Sequence, residues 1–343
     1  MSTQEGLQGE VMPSFMGGVP KPSSILKNQR FVLFILLVAL VVFFSLKNSQ
    51  FFAVAEFQSL LIDFSALILI AIAETFVITT GGIDLAVGTT GALAGVVAAH
   101  MMQPMVTSHN NQALILLFGT LVAMLVGAIV GAVAALLITV FNLVPFVATL
   151  VTYSAGAGLA LVFSGGAPVG FNPEASTWST TGIWIFSWPV MIVIGLVAIL
   201  GLVLHLTRYG RYNFAIGSNQ FAARVAGINV RRHVSSVYVL SGVLAGLTGM
   251  FLYIRAGSGS PIAGVTNSAN LEAIAAVVIG GVSLVGGVGR LSGVILGAAI
   301  LTVVSDGLIF INVPPTWIQV VIAGLIALAA VIQTLRRGQR RTT

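Results

Sequence analysis

The chain has 343 residues, of which 57% are hydrophobic and 7% charged; it contains no cysteine and carries a formal net charge of +6. Soluble domains carry roughly 25% charged residues, so a soluble enzyme is excluded, and a mean hydropathy of +1.06 indicates an all-α polytopic membrane protein. Without cysteine there is neither a disulfide framework nor thiolate chemistry in this chain.

Residues 1–29 hold Gly17, Gly18, Pro20 and Pro22 among few large apolar groups and are expected to form a flexible cytoplasmic tail. A membrane domain then covers 30–336, and a basic tail covers 337–343. Within it, apolar runs of about the 20 residues that a bilayer core requires recur ten times. They fall at 31–46, 58–80, 84–102, 112–139, 144–163, 183–205, 235–256, 269–285, 290–311 and 315–335. The first lacks a small-residue cleavage site and is taken as an uncleaved span. Lys21, Lys27 and Arg30 precede it. Arg208, Arg211, Arg224, Arg231 and Arg232 share the 207–234 loop, and Arg336, Arg337, Arg340 and Arg341 close the chain. Ten crossings place all three clusters on one side, which the positive-inside rule assigns to the cytoplasm together with both termini. Topology thus accounts for the positive charge, and no nucleic-acid partner is implied.

The second and third spans are separated by Gly81-Gly82-Ile83-Asp84. Glycine ends a helix readily, and an aspartate can accept N–H bonds at the start of the next. Asp84 is therefore either a cap or brace, or a direct contact to a substrate or gate. The two roles are compatible, because a helix break lining a cavity leaves backbone polar groups open to a ligand. Similar residues recur at Gly280-Gly281-Val282-Ser283, either by chance or as an internal repeat of the kind transporters contain. Glycines at four-residue spacing, Gly91/Gly95, Gly127/Gly131, Gly242/Gly246 and Gly293/Gly297, imply close helix packing.

Asp63, Glu74, Asp84, Glu272 and Asp306 fall in or beside spans, where carboxylates are costly and usually functional. Asp63 is expected at the interface, and Glu74, with no capping role, is expected to contact a polar cavity. His100, His109, His205 and His233 sit at presumed span ends and read as interface residues, not metal ligands. No G-x-x-x-x-G-K-[ST] or H-E-x-x-H motif occurs. In the 207–234 loop a surface helix from Asn219 to Gly227 is expected, presenting Ala222, Ala223 and Ala226 on one face.

Four stretches, "TTGGIDLAVG", "VPFVATL", "FAIGSNQFAARVAGI" and "LEAIAAVVIGGVSLVGGVGRLSGVILGA", resemble the permease subunits of ribose/xylose/arabinose/galactose-type ABC importers. The resemblance extends from about Phe51 to Gln333. It implies broken helices around a central pathway in the bacterial inner membrane, with no cofactor on this chain. The implied partners are ABC ATPase subunits that hydrolyse ATP with Mg, a second copy or sister permease, a soluble periplasmic or lipid-anchored sugar-binding protein, the sugar itself and membrane lipid. It also assigns Glu74, Gly81, Gly82, Asp84, Phe146, Thr149, Asn270 and Glu272 to the pathway or gate. Ala222, Ala223, Arg224 and Gly227 are assigned to ATPase coupling. Ala86 stands where the family usually has serine, Phe221 replaces the acid of the coupling motif, and Asn270 and Glu272 alter E-L-D-A-I-A. The competing reading is an ion- or proton-coupled carrier, which would need broken helices and buried carboxylates but no coupling loop.

Overall fold

The computed structural model describes residues 29–108, 110–262 and 269–341. Of the tail expected over 1–29, residues 1–28, with Lys21 and Lys27, lie outside the described residues, as do His109 and the last two residues, while Gln29 already belongs to the first helix. Among the described residues there are thirteen α-helices. They are α1 (Gln29–Lys47), α2 (Val54–Thr79), α3 (Val87–Thr107), α4 (Gln112–Thr139), α5 (Pro145–Ser164), α6 (Pro173–Thr180), α7 (Trp188–Leu206), α8 (Arg208–Ser218), α9 (Gln220–Val225), α10 (Val230–Ala256), α11 (Ala269–Ile279), α12 (Leu291–Phe310) and α13 (Pro315–Arg341). A two-residue hairpin, β1 (Gly182–Ile183) with β2 (Phe186–Ser187), precedes α7.

Each of the ten expected spans corresponds to one helix, and seven helices are long and apolar enough to cross a membrane. Several boundaries differ: α2 starts at Val54, α3 runs on to Thr107, and α10 starts at Val230, inside the expected 207–234 loop. The third helix starts at Val87, not at residue 84, because Asp84 belongs to the turn before it. The hairpin takes the first residues of the sixth expected span. The eighth helix ends at Ile279, where Gly281 adopts φ +85° and turns the chain. At the C-terminus, α13 continues to Arg341, so residues 337–341 are helical.

Burial shows which helices form the centre. Along α2, residues 67–79 are buried throughout, and α10 is buried over most of its length, whereas α1, α4, α5 and α7 turn long apolar rows outward. That outward surface is what a bilayer solvates. The centre is closed by small residues. A Cβ on Gly127 would lie 2.0 Å from the Gly242 carbonyl oxygen, and one on Gly249 would lie 2.0 Å from the Gly91 carbonyl oxygen. Hence α10 touches α3 and α4 backbone to backbone, as the glycine spacing predicts.

Interhelical contacts sort the helix ends into two sets. At one end lie α8 and α9 with the end of α2, joined through Asn213, and His205 of α7, whose Nε2 accepts from the Leu291 N–H at 3.1 Å. At the other lie the bond between His100 and the Phe163 carbonyl (2.6 Å), Gln58 to Trp184, and Asn48 to Phe310. The ends of α1, α2, α3, α5, α7 and α12 that make these bonds fall in the two sets in alternation along the chain.

Candidate functional site

The end of α2 is a helix terminus built to be interrupted. Gly81 takes φ +86°, a left-handed conformation that costs glycine nothing, and the N–H groups of Thr80 and Gly82 both return to the Val77 carbonyl. The chain then turns through 81–86 before α3 begins. Asp84 is buried in this turn. Its Oδ1 accepts from the Ala86 N–H at 3.0 Å, and its Oδ2 accepts from the Ser241 hydroxyl of α10 at 2.7 Å. Asp84 is therefore both a local brace, two residues ahead of the Ala86 cap of α3, and a tie to α10. Two further bonds fix the same loop: Tyr238 of α10 and Thr149 of α5 both donate to the Ile83 carbonyl, at 3.4 and 3.3 Å.

Glu74 lies about two helical turns before Gly81, fully buried. Neither of its carboxyl oxygens has a hydrogen-bond partner, and the Asp84 backbone lies within electrostatic reach but outside hydrogen-bond geometry. The expected cavity contact is thus absent: Glu74 exposes no surface, because α2 is enclosed on all sides here. Burying a carboxyl without a partner is costly. Glu74, Asp84 and the Tyr238 hydroxyl lie within Coulombic range of one another, so three polar side chains converge where the helix breaks.

The predicted site residues do not form one group. Glu74, Gly81, Gly82, Asp84 and Thr149 meet at the break. Phe146 is about half exposed at the start of α5 and points away from the buried cluster. Asn270 and Glu272 sit half-buried on α11, at the opposite end of the bundle. There Glu272 and Asp306 lie within Coulombic range of Asp63, which is partly exposed and ion-paired with Arg255 of α10. Arg255 also donates to the Ser59 carbonyl at 3.4 Å and hydroxyl at 3.3 Å. A cavity of about 230 Å³ beside it is bounded by Gly95, Gly249, Tyr253, Arg255, Ser258 and Ser260.

The loop between α7 and α10 also departs from expectation. The helix is shorter than 219–227, running Gln220–Val225 with Asn219 capping the Ala222 N–H at 3.0 Å. Gly227 terminates it with φ +82°. Ala222 and Ala226 are exposed, but Ala223 is buried against Ile216 and Val230 and packs inward. The outward face is instead made by Phe221 (75% exposed) and Val225 (74%), with Arg224 exposed between them. Two large apolar side chains are thus exposed about one turn apart on this short helix.

Sequence reasoning missed Asn213, Tyr238 and Ser241. Asn213 of α8 is fully buried, and its Nδ2 donates to the Phe76 carbonyl at 2.9 Å and to Thr79 Oγ1 at 3.1 Å. His233, read as an interface residue, is buried beside it. Tyr209 packs on the His233 ring at 4.5 Å and bonds Ser236; burial raises its hydroxyl above the ordinary range and the Ser236 bond offsets part of this. The signal for these residues was faint: one uncharged amide among arginines, and two hydroxyls in an apolar span.

Near the short echo at Gly280 the same turn geometry recurs, in a register one residue away from the echo. The Gly281 N–H returns to Val278 and the Val282 N–H to Val277, the same pattern that Gly81 and Gly82 make at the end of α2. The pairing is Gly81 with Gly281 and not with Gly280, one residue from the sequence alignment. The two breaks touch, since the Gly287 N–H donates to the Thr79 carbonyl at 3.0 Å.

Residues 57–331 match the family described as "Branched-chain amino acid transport system / permease component". The chain belongs to this permease family. The permease is 34% identical over 322 residues to "Ribose import permease protein RbsC" of Haemophilus influenzae, covering 92% of this chain and 95% of the relative. It is 36% identical over 309 residues to the protein of that name from Escherichia coli K12, covering 88% and 93%. It is 31% identical over 323 residues to "Galactose/methyl galactoside import permease protein MglC" of Salmonella typhimurium, covering 91% and 95%. No solved structure matches the permease.

Proposed function

We propose that this permease is the membrane-spanning subunit of an ATP-driven importer that moves a monosaccharide into the cytoplasm across the bacterial inner membrane. The observation that carries the reading is the end-to-end similarity to ribose and galactose import permeases. The family description speaks of amino acids, but the sugar-import relatives cover about nine-tenths of the chain, so a sugar is preferred. Because the sequence has no phosphate-binding loop, the energy enters from separate ATPase subunits. Phe221, Ala222 and Val225 are the surface offered to them, with Gly227 ending the helix. The α8–α9 end is then cytoplasmic, and the Asp63–Arg255 end faces the sugar-binding protein that delivers the cargo. A second copy or sister permease completes the pathway.

In this reading Asp84, Tyr238 and Thr149 hold the inner end closed by fixing the 81–86 loop to α10 and α5. Reconstitution in vesicles with the ATPase and binding protein, loaded with labelled ribose and then galactose, tests it. Uptake should require ATP on the α9 side. Uptake that persists without ATP under an ion gradient overturns the proposal in favour of a secondary carrier.

A further inference from the structure

We infer that Asn213, seated by His233, is the joint through which motion of α9 reaches the helix break, a positioning role that rests on the importer reading above. The end of α2 leaves its Phe76 carbonyl without the usual backbone donor, because the Thr80 N–H turns to Val77 instead. Such terminal carbonyls need other partners, and here the Asn213 amide of α8 reaches both Phe76 O and the Thr79 hydroxyl that lies 3.0 Å from the same carbonyl. Phe76 O can only accept, so Nδ2 faces it and Oδ1 faces His233 at 2.6 Å. His233 Nε2 must therefore carry the hydrogen in that bond. Nδ2 bonds Phe76 O and Thr79 Oγ1, Oδ1 bonds His233, and the side chain is fully buried.

The joint connects three elements. His233 stands in the first turn of α10, the same helix that carries Tyr238 and Ser241 to the Ile83 carbonyl and Asp84. Asn213 belongs to α8, whose Ile216 packs with Ala223 of α9 and Val230 of α10. One turn further along α8, a Cβ on Gly217 would lie 2.0 Å from the Thr79 carbonyl oxygen and 2.5 Å from the Gly287 nitrogen. A push on the exposed face of α9 thus acts on α8 and α10 together, and both grip the last turn of α2, directly before Gly81. Without the Asn213 amide, α8 and the start of α10 lose their side-chain hydrogen-bond link to the end of α2, and only packing through Gly217 carries motion from α8 to it.

The test is the ratio of sugar moved to ATP hydrolysed by the assembled complex in vesicles, with labelled ribose and galactose as probes. Asn213→Ala should leave co-purification of the ATPase within two-fold and hydrolysis still stimulated by the loaded binding protein. The sugar-to-ATP ratio should fall at least ten-fold. His233→Ala should do the same, while His233→Gln, which keeps an N–H for Asn213 Oδ1, should restore most of the ratio. If Asn213→Ala fails to assemble, the His233 pair alone decides. A ratio unchanged in the assembled variants, or transport and hydrolysis falling in step with no rescue by glutamine, overturns the inference. Wild-type complex that hydrolyses ATP without moving either sugar counts instead against the importer reading.

Discussion

The Ser241 hydroxyl on α10 donates a 2.7 Å hydrogen bond to Oδ2 of Asp84, 157 positions earlier in the chain, while Oδ1 of the same carboxylate holds the Ala86 N–H. One side chain therefore fixes both the local turn and its distance from α10. Asp84→Asn keeps the acceptor for Ala86, and the Ser241 hydroxyl can reverse to accept from the new amide. Thermal unfolding of the purified protein should show a loss below about 1 kcal/mol for Asp84→Asn and about 2 kcal/mol or more for Asp84→Ala. Uptake should fall further than stability predicts in both if the charge itself works the gate. Asp84→Ala with unchanged unfolding and uptake would refute the brace.

Gly82 tests the contact between the break and α10. A Cβ there would lie 2.4 Å from the Tyr238 hydroxyl and 3.1 Å from Val77 Cγ1. Gly82→Ala should destabilise by roughly 1–3 kcal/mol, as overpacked cores do. Tyr238→Phe removes the colliding oxygen at the expense of one long bond to Ile83, so the double variant should be more stable than Gly82→Ala alone. Additive losses in that cycle would show that the hydroxyl is not the obstacle.

On α9, neighbouring positions should behave oppositely. Phe221→Ala removes an exposed side chain and should leave the melting temperature within a degree while weakening ATPase co-purification at least ten-fold. Ala223→Leu enlarges a side chain packed between Ile216 and Val230 and should cost about 1–3 kcal/mol of stability. Normal ATPase association in Phe221→Ala would remove the outward face from the coupling surface.

How much of this was legible in the sequence follows from the range of each signal. The break at Gly81-Gly82 is visible because glycines interrupt an apolar run and act on their own backbone. The ten spans are visible for the same local reason. Ser241 and Asn213 were not, since their partners lie 157 and 137 positions away and nothing nearby marks them as paired. Ala223 was assigned the wrong face because α9 has six residues. Periodicity over so few residues does not fix which side α8 and α10 will cover.

Sidedness can be read with single cysteines in this cysteine-free chain. Thr177, exposed on α6, and Ser218, exposed at the end of α8, belong to opposite ends of the bundle. In intact cells an impermeant maleimide should label Thr177→Cys and spare Ser218→Cys until the membrane is opened. Labelling of Ser218→Cys from outside inverts the proposed orientation.

The glycine contacts that join α10 to α3 and α4 have a mechanical consequence. Where a Cβ would stand 2.0 Å from a carbonyl oxygen on the facing helix, the backbones are in hard contact, and sliding one past the other would drive peptide groups into each other. Packed interfaces of this kind switch as units and do not deform smoothly. The three helices therefore form one stiff slab, and any transport stroke must leave its internal distances unchanged. Compliance is left to the segments around its edge, the 81–86 turn and the Gly227 bend. Sugar movement would then appear in distance measurements as a few large hinge displacements, with the spacing between α3, α4 and α10 constant throughout.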